Sequence, residues 1–210
     1  MSRVDFSLYL VTDRKQTNGR PLLEVVEECL VAGVRAVQLR EKDLTTRELF
    51  TLAAELRALT RRYRAALLIN DRIDVALALE ADGVHLPSDS FPAESARKIV
   101  GPEMLIGASV HTVAEAKEAE AGGADFVVFG PVFETPSKRP YGPPQGLESL
   151  RAVRQAVSLP LFAIGGITPG RGRAVKEAGA DGVAAISALL GAPDPGDATR
   201  DFFKELEARQ

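Results

Sequence analysis

Eight short apolar runs alternate with longer segments of helical periodicity, and this alternation limits the possible folds more than any other feature of the chain. The runs span residues 7–12, 36–39, 66–70, 83–86, 104–108, 125–129, 161–164 and 182–186. Each is apolar at nearly every position, which is typical of strands that are covered on both faces. The alternation therefore predicts a parallel sheet whose strands are joined by helices.

The segments between the runs carry signals for where helices begin and end. Two capping boxes, each a hydroxyl residue three positions before a glutamate, are Thr45 with Glu48 and Thr112 with Glu115. Proline favours the first turn of a helix, and it opens two of the segments, at Pro21 and Pro169. Three glycines are predicted to end helices in the left-handed conformation: Gly33, Gly122 and Gly179. A last helix is predicted over residues 197–208.

Four junctions repeat one pattern, in which a helix ending in small residues leads directly into a strand. They read Ala32-Gly-Val-Arg-Ala-Val, Ala81-Asp-Gly-Val-His-Leu, Gly123-Ala-Asp-Phe-Val-Val and Ala180-Asp-Gly-Val-Ala-Ala. Eight units in this chain have about 26 residues each, near the minimum for a strand, a loop and a helix. We therefore predict an α/β fold, a (β/α)8 TIM barrel, as a single domain over residues 1–210. The alternative is a doubly wound open sheet, although no Gly-x-Gly-x-x-Gly follows the first strand.

Composition excludes several classes of function. The net charge of −3 and the pI of about 5.6 give no electrostatic reason to expect a nucleic acid or a membrane as a partner. Cys29 has no second cysteine to pair with, and one cysteine with two histidines gives no Cys/His metal spacing. There is no signal-peptide pattern and no apolar run of about 18 residues, so we expect a cytoplasmic protein. A homo-oligomer is compatible with the sequence, which assigns no interface.

Polar residues follow all eight runs, where a (β/α)8 barrel places its active site. They lie in segments 12–14, 38–43, 70–72, 85–90, 109–111, 135–139, 165–168 and 186–187. One loop is unusually long: residues 130–146 contain five prolines and three glycines after the sixth run. A loop of this length in a compact domain is usually functional. We expect the eight segments to form one ligand site.

Two groups of residues are candidate anion receptors. Gly165 and Gly166 would let backbone approach a phosphate, and Ser187 begins the turn into a later helix, as in the phosphate site of many barrels. The alternative for the glycines is a tight turn that needs positive φ. Arg40, Lys42 and Lys138 supply positive side chains, whose alternative is a solvated loop.

Asp71 and Asp89 are candidate ligands for Mg²⁺, which binds through one or two carboxylates together with substrate phosphates and water. The alternative for both is a surface turn or cap. His111 is a candidate acid or base near neutral pH, since it follows a strand end between Ser109 and Thr112. His85 is better explained as a structural residue.

The strand ends, taken in order, resemble the thiamine-phosphate synthase family, which includes the related thiazole tautomerases. The segments that carry the resemblance are Leu8-Tyr-Leu-Val-Thr-Asp-Arg14, Val37-Gln-Leu-Arg-Glu-Lys-Asp43, Ile69-Asn-Asp-Arg72, Gly107-Ala-Ser-Val-His-Thr112, Thr135-Pro-Ser-Lys138 and Ile164-Gly-Gly-Ile167. No single segment is specific, but the ordered set covers nearly the whole chain.

The resemblance implies a transferase that joins hydroxymethylpyrimidine diphosphate to thiazole phosphate and releases pyrophosphate with the help of Mg²⁺. It implies a pyrimidine diphosphate pocket made of Gln38, Arg40, Lys42, Asn70, Ser109 and Lys138. It implies a thiazole phosphate pocket made of Thr135, Ser137, Gly166, Ile186 and Ser187. Lys138, Ser109 and His111 are the implied catalytic residues, and Asp71 is an implied magnesium ligand.

The chain departs from the synthase pattern at one position. The family places a second magnesium-binding aspartate five residues after the histidine that matches His85, and Ser90 stands there, with Asp89 one residue earlier. The stretch around Ser90 is closer to the tautomerases, which isomerise a thiazole carboxylate phosphate with the residue matching His111 as acid and base. Three hypotheses follow: a synthase, a tautomerase, and a regulator that binds phosphorylated ligands without turnover.

Overall fold

Eight parallel strands form a closed barrel in this computed structural model, which describes residues 3–135 and 143–207. The strands are β1 (Leu8–Val11), β2 (Ala36–Leu39), β3 (Ala66–Asn70), β4 (Gly83–Leu86), β5 (Leu105–Val110), β6 (Phe126–Phe129), β7 (Leu161–Ala163) and β8 (Gly182–Ala185). Each pairs with the next in the chain, and β8 closes on β1 with Tyr9 opposite Ala184. The (β/α)8 prediction is confirmed, and the open sheet is excluded.

Helices surround the barrel and follow the strands. They are α1 (Leu22–Val31), α2 (Thr46–Arg62), α3 (Ile73–Ala78), α4 (Ala93–Val100), α5 (Val113–Ala121), α6 (Gly146–Ala156), α7 (Gly172–Glu177), α8 (Ser187–Leu190) and α9 (Pro195–Glu207). Short 3₁₀ turns at Arg14–Gln16 and Pro169–Arg171 complete the described elements. Among the described residues, no helix has the length and apolar character to cross a membrane.

The helix signals are mostly confirmed. Thr45 and Glu48 form a reciprocal capping box at the start of α2. At α5 the box is incomplete, because the Glu115 carboxylate accepts from the backbone N–H of His111 rather than of Thr112. The prediction for Gly122 is wrong, since its φ is −76° and the left-handed residue is the next one, Gly123.

Apolar side chains pack in two layers, one between the strands and the helices and one inside the barrel. Cys29 lies fully buried in the outer layer, on α1, as predicted. The inner layer contains Tyr9, Phe126 and Phe162, with Phe6 packed against them from the end where the strands begin. Because successive strand residues point to opposite faces, every second residue faces this interior.

The end where the strands begin is held by three repeated ion pairs. Asp82, Asp125 and Asp181 stand just before β4, β6 and β8, in the repeated junctions. Each carboxylate accepts from the first or second backbone N–H of the preceding strand, at 2.7–2.8 Å. Each also pairs with an arginine from the helix before that strand: Arg57, Arg97 or Arg154.

Candidate active site

Four polar side chains continue the inward-facing positions toward the carboxyl end of the barrel. Residues near the start of β2, β3, β4 and β5 face the interior: Ala36, Leu68, Gly83 and Leu105. Because every second residue of a strand faces the same side, the next inward residues are Gln38 on β2, Asn70 on β3, His85 on β4, and Gly107 followed by Ser109 on β5. Asn70 lies opposite His85 in the register of β3 and β4. The structure therefore brings three predicted site residues, Gln38, Asn70 and Ser109, together at the carboxyl end of the barrel, which we call the mouth.

A chain of hydrogen bonds links two of these residues, Gln38 and Ser109, through the buried side chains of Tyr9 and His85. The Gln38 amide donates to the Tyr9 hydroxyl at 3.1 Å. That hydroxyl lies 3.5 Å from His85 Nδ1, and His85 Nε2 lies 2.9 Å from Ser109 Oγ. Tyr9 was missed by sequence reasoning, and His85, expected to be structural, is buried but contacts a site residue.

Burial determines the charge state of this chain. Desolvation, together with the smaller effect of the positive charge of Arg40, lowers the pKa of His85 to about 3, so the ring is neutral near pH 7. Desolvation also raises the pKa of Tyr9 far above its ordinary value, against a smaller effect of the Gln38 hydrogen bond. Both groups are therefore hydrogen-bonding groups and not charges.

The loop after β2 carries the predicted cations and is fixed from below. The Arg40 backbone N–H donates to the buried Thr12 hydroxyl at 2.9 Å. Glu41, which is 8% exposed, accepts from the backbone and the guanidinium of Arg14, and Arg14 also bonds Asp43 at 2.6 Å. This brace leaves Arg40 half-buried and Lys42 exposed. Lys138, the third predicted cation, lies outside the described residues.

Asp71 sits just beyond β3 with a φ of +63°, a left-handed conformation that aspartate tolerates better than most residues. Its carboxylate accepts a hydrogen bond from the Ser90 hydroxyl. Asp89, next to Ser90 in the turn after β4, is exposed. No group of three His, Cys, Asp or Glu side chains suited to a metal occurs among residues 3–135 and 143–207.

The carboxylate of Asp71 and the hydroxyl of Ser90 are oxygen donors, which suits a hard cation that takes its remaining ligands from substrate phosphates and water. Ser90 also lines a cavity of about 140 Å³, which lies between β5 and helices α4 and α5, outside the barrel interior. Asp71 directly follows Asn70, the last residue of β3, so it lies beside the mouth of the barrel.

His111 is half-buried just after β5. Its Nδ1 lies 2.5 Å from the carbonyl oxygen of Gly130, which can only accept, so Nδ1 carries a proton. In the neutral ring Nε2 is then the acceptor. Nε2 could therefore act as a base. His111 lies between the end of β5 and Gly130, the first residue of the long loop after β6.

The loop after β7 lies against the start of the loop after β6. Gly165 and Gly166 have φ of +97° and +63°, and Val132 and Phe133 donate backbone hydrogen bonds to Ile164 and Gly165. A Cβ on Gly166 would overlap the carbonyl of Glu134. The glycine pair therefore forms a tight turn against the backbone of the loop after β6, and phosphate binding by it stays a prediction.

Three other predicted residues of the thiazole phosphate pocket lie at the same end. Thr135 closes the described part of the β6 loop, while Ile186 and Ser187 lead from β8 into α8. Ser137 lies outside the described residues. Sequence reasoning missed Arg171, whose guanidinium donates to the Gly166 carbonyl at 2.5 Å and stacks 4.6 Å from the centre of the Phe133 ring.

Comparison with known proteins gives the family. A family model described as thiamine monophosphate synthase matches residues 8–189. The chain belongs to the thiamine monophosphate synthase family. The match runs from β1 to α8, so it includes every strand end that contributes to the mouth.

Members of the thiamine monophosphate synthase family resemble this chain over almost its whole length. The thiamine-phosphate synthase of Moorella thermoacetica is 49% identical over 195 residues, which are 93% of each chain. That of Syntrophomonas wolfei is 49% identical over 194 residues, 92% of this chain and 93% of the relative. The solved thiamine phosphate pyrophosphorylase of Pyrococcus furiosus superposes with a TM-score of 0.87 at 43% identity, covering 96% of each chain.

Proposed function

We propose that this chain is a thiamine-phosphate synthase, a transferase that joins hydroxymethylpyrimidine diphosphate to thiazole phosphate. The observation that carries the proposal is the mouth itself. Neutral hydrogen-bonding side chains line the interior, cations stand on the loop beside it, and the chain is about half identical to proteins that bear this name. Small phosphorylated molecules are thus the proposed partners.

The pyrimidine diphosphate is proposed to bind across β2, β3 and β5. Gln38, Asn70 and Ser109 offer donors and acceptors to a heteroaromatic ring inside the barrel, where no formal charge would be left unpaired. Arg40 and Lys42, joined by Lys138, are proposed to face the diphosphate. Positive groups held in place before the reaction stabilise charge as it develops, without reorganisation.

Magnesium is the proposed cofactor, held by Asp71 with oxygen atoms of the substrate. The hydroxyl of Ser90 beside the carboxylate supports this placement, because it adds an oxygen donor. Asp89 is a second proposed ligand from the same turn. When bound, Mg²⁺ would help neutralise the charge on the departing pyrophosphate.

The thiazole phosphate is proposed to bind at the loops after β6, β7 and β8. Gly166, Thr135 and Ser187 offer backbone and hydroxyl groups to a phosphate, with Ser137 from the adjoining segment and with Ile186 packing beside them. Arg171 adds a positive charge next to Gly166. The thiazole ring would then extend inward, toward the pyrimidine.

The proposed reaction breaks the bond between the pyrimidine methylene carbon and the diphosphate oxygen. The electron pair leaves with pyrophosphate, and the lone pair of the thiazole nitrogen forms the new carbon–nitrogen bond. Lys138 and Arg40 stabilise the leaving group, while Ser109 orients the pyrimidine. His111 is proposed to stand beside the two substrates, and the apolar interior below excludes water from the carbocation-like intermediate.

The test is product formation by the purified protein with both substrates and Mg²⁺. The proposal predicts one thiamine phosphate and one pyrophosphate per turnover. Conversion of thiazole carboxylate phosphate without metal, lost in His111→Ala, would instead identify a tautomerase. Thermal stabilisation by the substrates with neither product would indicate a ligand-binding regulator.

Since anionic phosphates do not cross bilayers, we propose that the enzyme works where they are made, in the cytoplasm.

A further inference from the structure

We propose that Tyr9 and His85 are positioning residues that leave the Ser109 hydroxyl as a hydrogen-bond donor toward the substrate. The inference rests on the proposed function, because it assigns the polarity of one group in the pyrimidine diphosphate pocket. Tyr9 and His85 are buried, with 0% and 2% exposure, and act only through Ser109 and Gln38. Ser109 is half-buried and occupies the inward-facing position of β5 nearest the carboxyl end of the barrel.

The direction of the hydrogen bonds starts at Gln38. The nitrogen of its amide can only donate, so the Tyr9 oxygen accepts this bond. The Tyr9 proton then needs a different acceptor, because a buried phenol is rarely left without one. His85 Nδ1, at 3.5 Å, lies in reach. That nitrogen must therefore carry no proton.

The second half of the chain follows from the neutral histidine. An imidazolium would point a second donor at the Tyr9 oxygen and leave the Tyr9 proton without an acceptor, and the ring is 2% exposed, so the geometry favours the neutral form. A neutral ring without a proton on Nδ1 has one on Nε2, which donates to Ser109 Oγ at 2.9 Å. Because Oγ accepts from within the barrel, the Ser109 proton is directed to an acceptor in the mouth.

The packing around His85 fixes this orientation. A Cβ at position 107 would lie 2.7 Å from His85 Nδ1, so glycine is needed opposite the ring in β5. The Tyr9 ring packs 5.8 Å and the Phe126 ring 6.0 Å from the imidazole, between centres. The ring therefore presents the same two nitrogens to Tyr9 and Ser109 whether or not a ligand is bound.

A donor at Ser109 selects a substrate atom with a lone pair. A pyrimidine ring nitrogen and a phosphate oxygen both qualify, whereas a ligand that presents an N–H at this point would leave two donors facing each other. Inhibition by inorganic pyrophosphate distinguishes the two acceptors, because pyrophosphate has phosphate oxygens but no ring nitrogen. A weaker inhibition by pyrophosphate in Tyr9→Phe would indicate a phosphate oxygen, and an unchanged one a ring nitrogen.

The first test is spectroscopic and needs no substrate. The chain has two histidines, so a long-range ¹H–¹⁵N spectrum of histidine-labelled protein contains two rings, and the His85 signals are those absent from His85→Gln. The expected result is a neutral His85 ring with its proton on Nε2. A proton on Nδ1, or an imidazolium, would overturn the inference even in a fully active enzyme.

The second test is kinetic. Tyr9→Phe is expected to raise KM for the pyrimidine diphosphate roughly tenfold, with KM for the thiazole phosphate changed less than about twofold. Tyr63→Phe, which removes a hydroxyl bonded to Glu27 on the outside of the barrel, is the matched control. In a Ser109→Ala background, Tyr9→Phe should raise this KM by less than it does in the wild-type protein, because only the contact with Gln38 remains to be lost.

Additive effects of the two substitutions, or equal changes in both KM values, would refute a role through Ser109. Should Tyr9→Phe fail to fold, the spectrum of the wild-type protein still decides the matter. Absence of thiamine phosphate in the wild-type assay would refute the proposed function alone, because the position of the His85 proton is measured independently.

Discussion

The two ends of the barrel carry similar polar residues with opposite surroundings. Where the strands begin, Asp125 bonds a strand N–H and two arginines, Arg3 and Arg97, so its charge is balanced within the protein. Where the strands end, Asp71 bonds one serine hydroxyl and stands exposed in a left-handed conformation. One end is closed on itself and the other is arranged for a ligand.

This difference separates stability from function. A carboxylate whose partners are all within the fold contributes to the free energy of unfolding, and its removal leaves buried donors unpaired. A carboxylate that faces an open mouth contributes little to folding and more to binding. The contrast predicts which variants lose activity while remaining folded, and which lose stability while remaining active.

The largest expected effect tests the functional end. Lys138→Ala should lower kcat by roughly 1,000-fold, because it removes a positive group from the departing diphosphate. The melting temperature should change by less than about 2 °C. Lys98→Ala, which removes an exposed lysine paired with Glu94 on α4, is the matched control. A loss of melting temperature in proportion to the loss of turnover would indicate a structural lysine.

Asp71→Asn should lower turnover by roughly 100-fold and raise the Mg²⁺ concentration needed for half-maximal rate. The amide keeps the size of the side chain and its bond with Ser90, so the melting temperature should hold. Rates measured over a magnesium series, with circular dichroism melts alongside, check both statements. An unchanged magnesium dependence would contradict the proposed metal site.

Asp125→Asn tests the other end of the barrel. It should cost about 2–3 kcal/mol of unfolding free energy, because Arg97 and the strand N–H lose a charged acceptor. Urea unfolding measures this loss, and kcat per folded molecule should stay within about twofold. Asp201→Asn, which breaks an exposed pair with Lys204, should cost less than about 0.5 kcal/mol. Equal losses of unfolding free energy in Asp125→Asn and Asp201→Asn would contradict the distinction between the three repeated ion pairs and ordinary surface pairs.

The hydrogen-bond chain through Tyr9 and His85 inside the barrel predicts how stability depends on pH. His85 has a pKa of about 3 when folded and an ordinary value when unfolded, so between those values the unfolded state binds more protons. Stability from this residue is therefore complete above the ordinary pKa and falls as the pH drops, by about 2 kcal/mol from pH 7 to pH 5. His85→Gln should unfold with a correspondingly shallower pH dependence in this range. Parallel pH profiles of the two proteins would exclude a buried neutral histidine.

The smallest effect is expected for Asp89→Asn. Asp89 is exposed, so its removal should raise the Mg²⁺ requirement by roughly threefold at most, without a change in melting temperature. The magnesium series used for Asp71 measures this directly. No change at all would remove Asp89 from the proposed ligands and leave Asp71 as the protein carboxylate.

The strands could be predicted because their apolar runs are nearly continuous. Seven predicted runs begin and end within one residue of the observed strands, but β5 continues to Val110, two residues past the predicted end. Ser109 interrupts the apolar pattern and yet belongs to the strand, because it faces the mouth. The left-handed residue that ends α5 is Gly123 rather than the predicted Gly122, because the local sequence fits either glycine.

The interior chain could not be predicted in the same way. Tyr9 and His85 are separated by 76 residues, and their contact depends on how the closed barrel sets the register of distant strands. Apolar periodicity gives which residues face inward but not which of them meet across the interior. The Arg171 contact with Phe133 is similar, since it needs two neighbouring loops to be placed first.

The most direct measurement is a product assay with both substrates and Mg²⁺ on three proteins at equal folded concentration: wild type, Asp71→Asn and Asp125→Asn. The expected result is stoichiometric thiamine phosphate and pyrophosphate from wild type, nearly the same rate from Asp125→Asn, and a rate roughly 100-fold lower from Asp71→Asn. No product from the wild-type protein, or equal losses in the two variants, would contradict a catalytic site at the carboxyl end of this barrel.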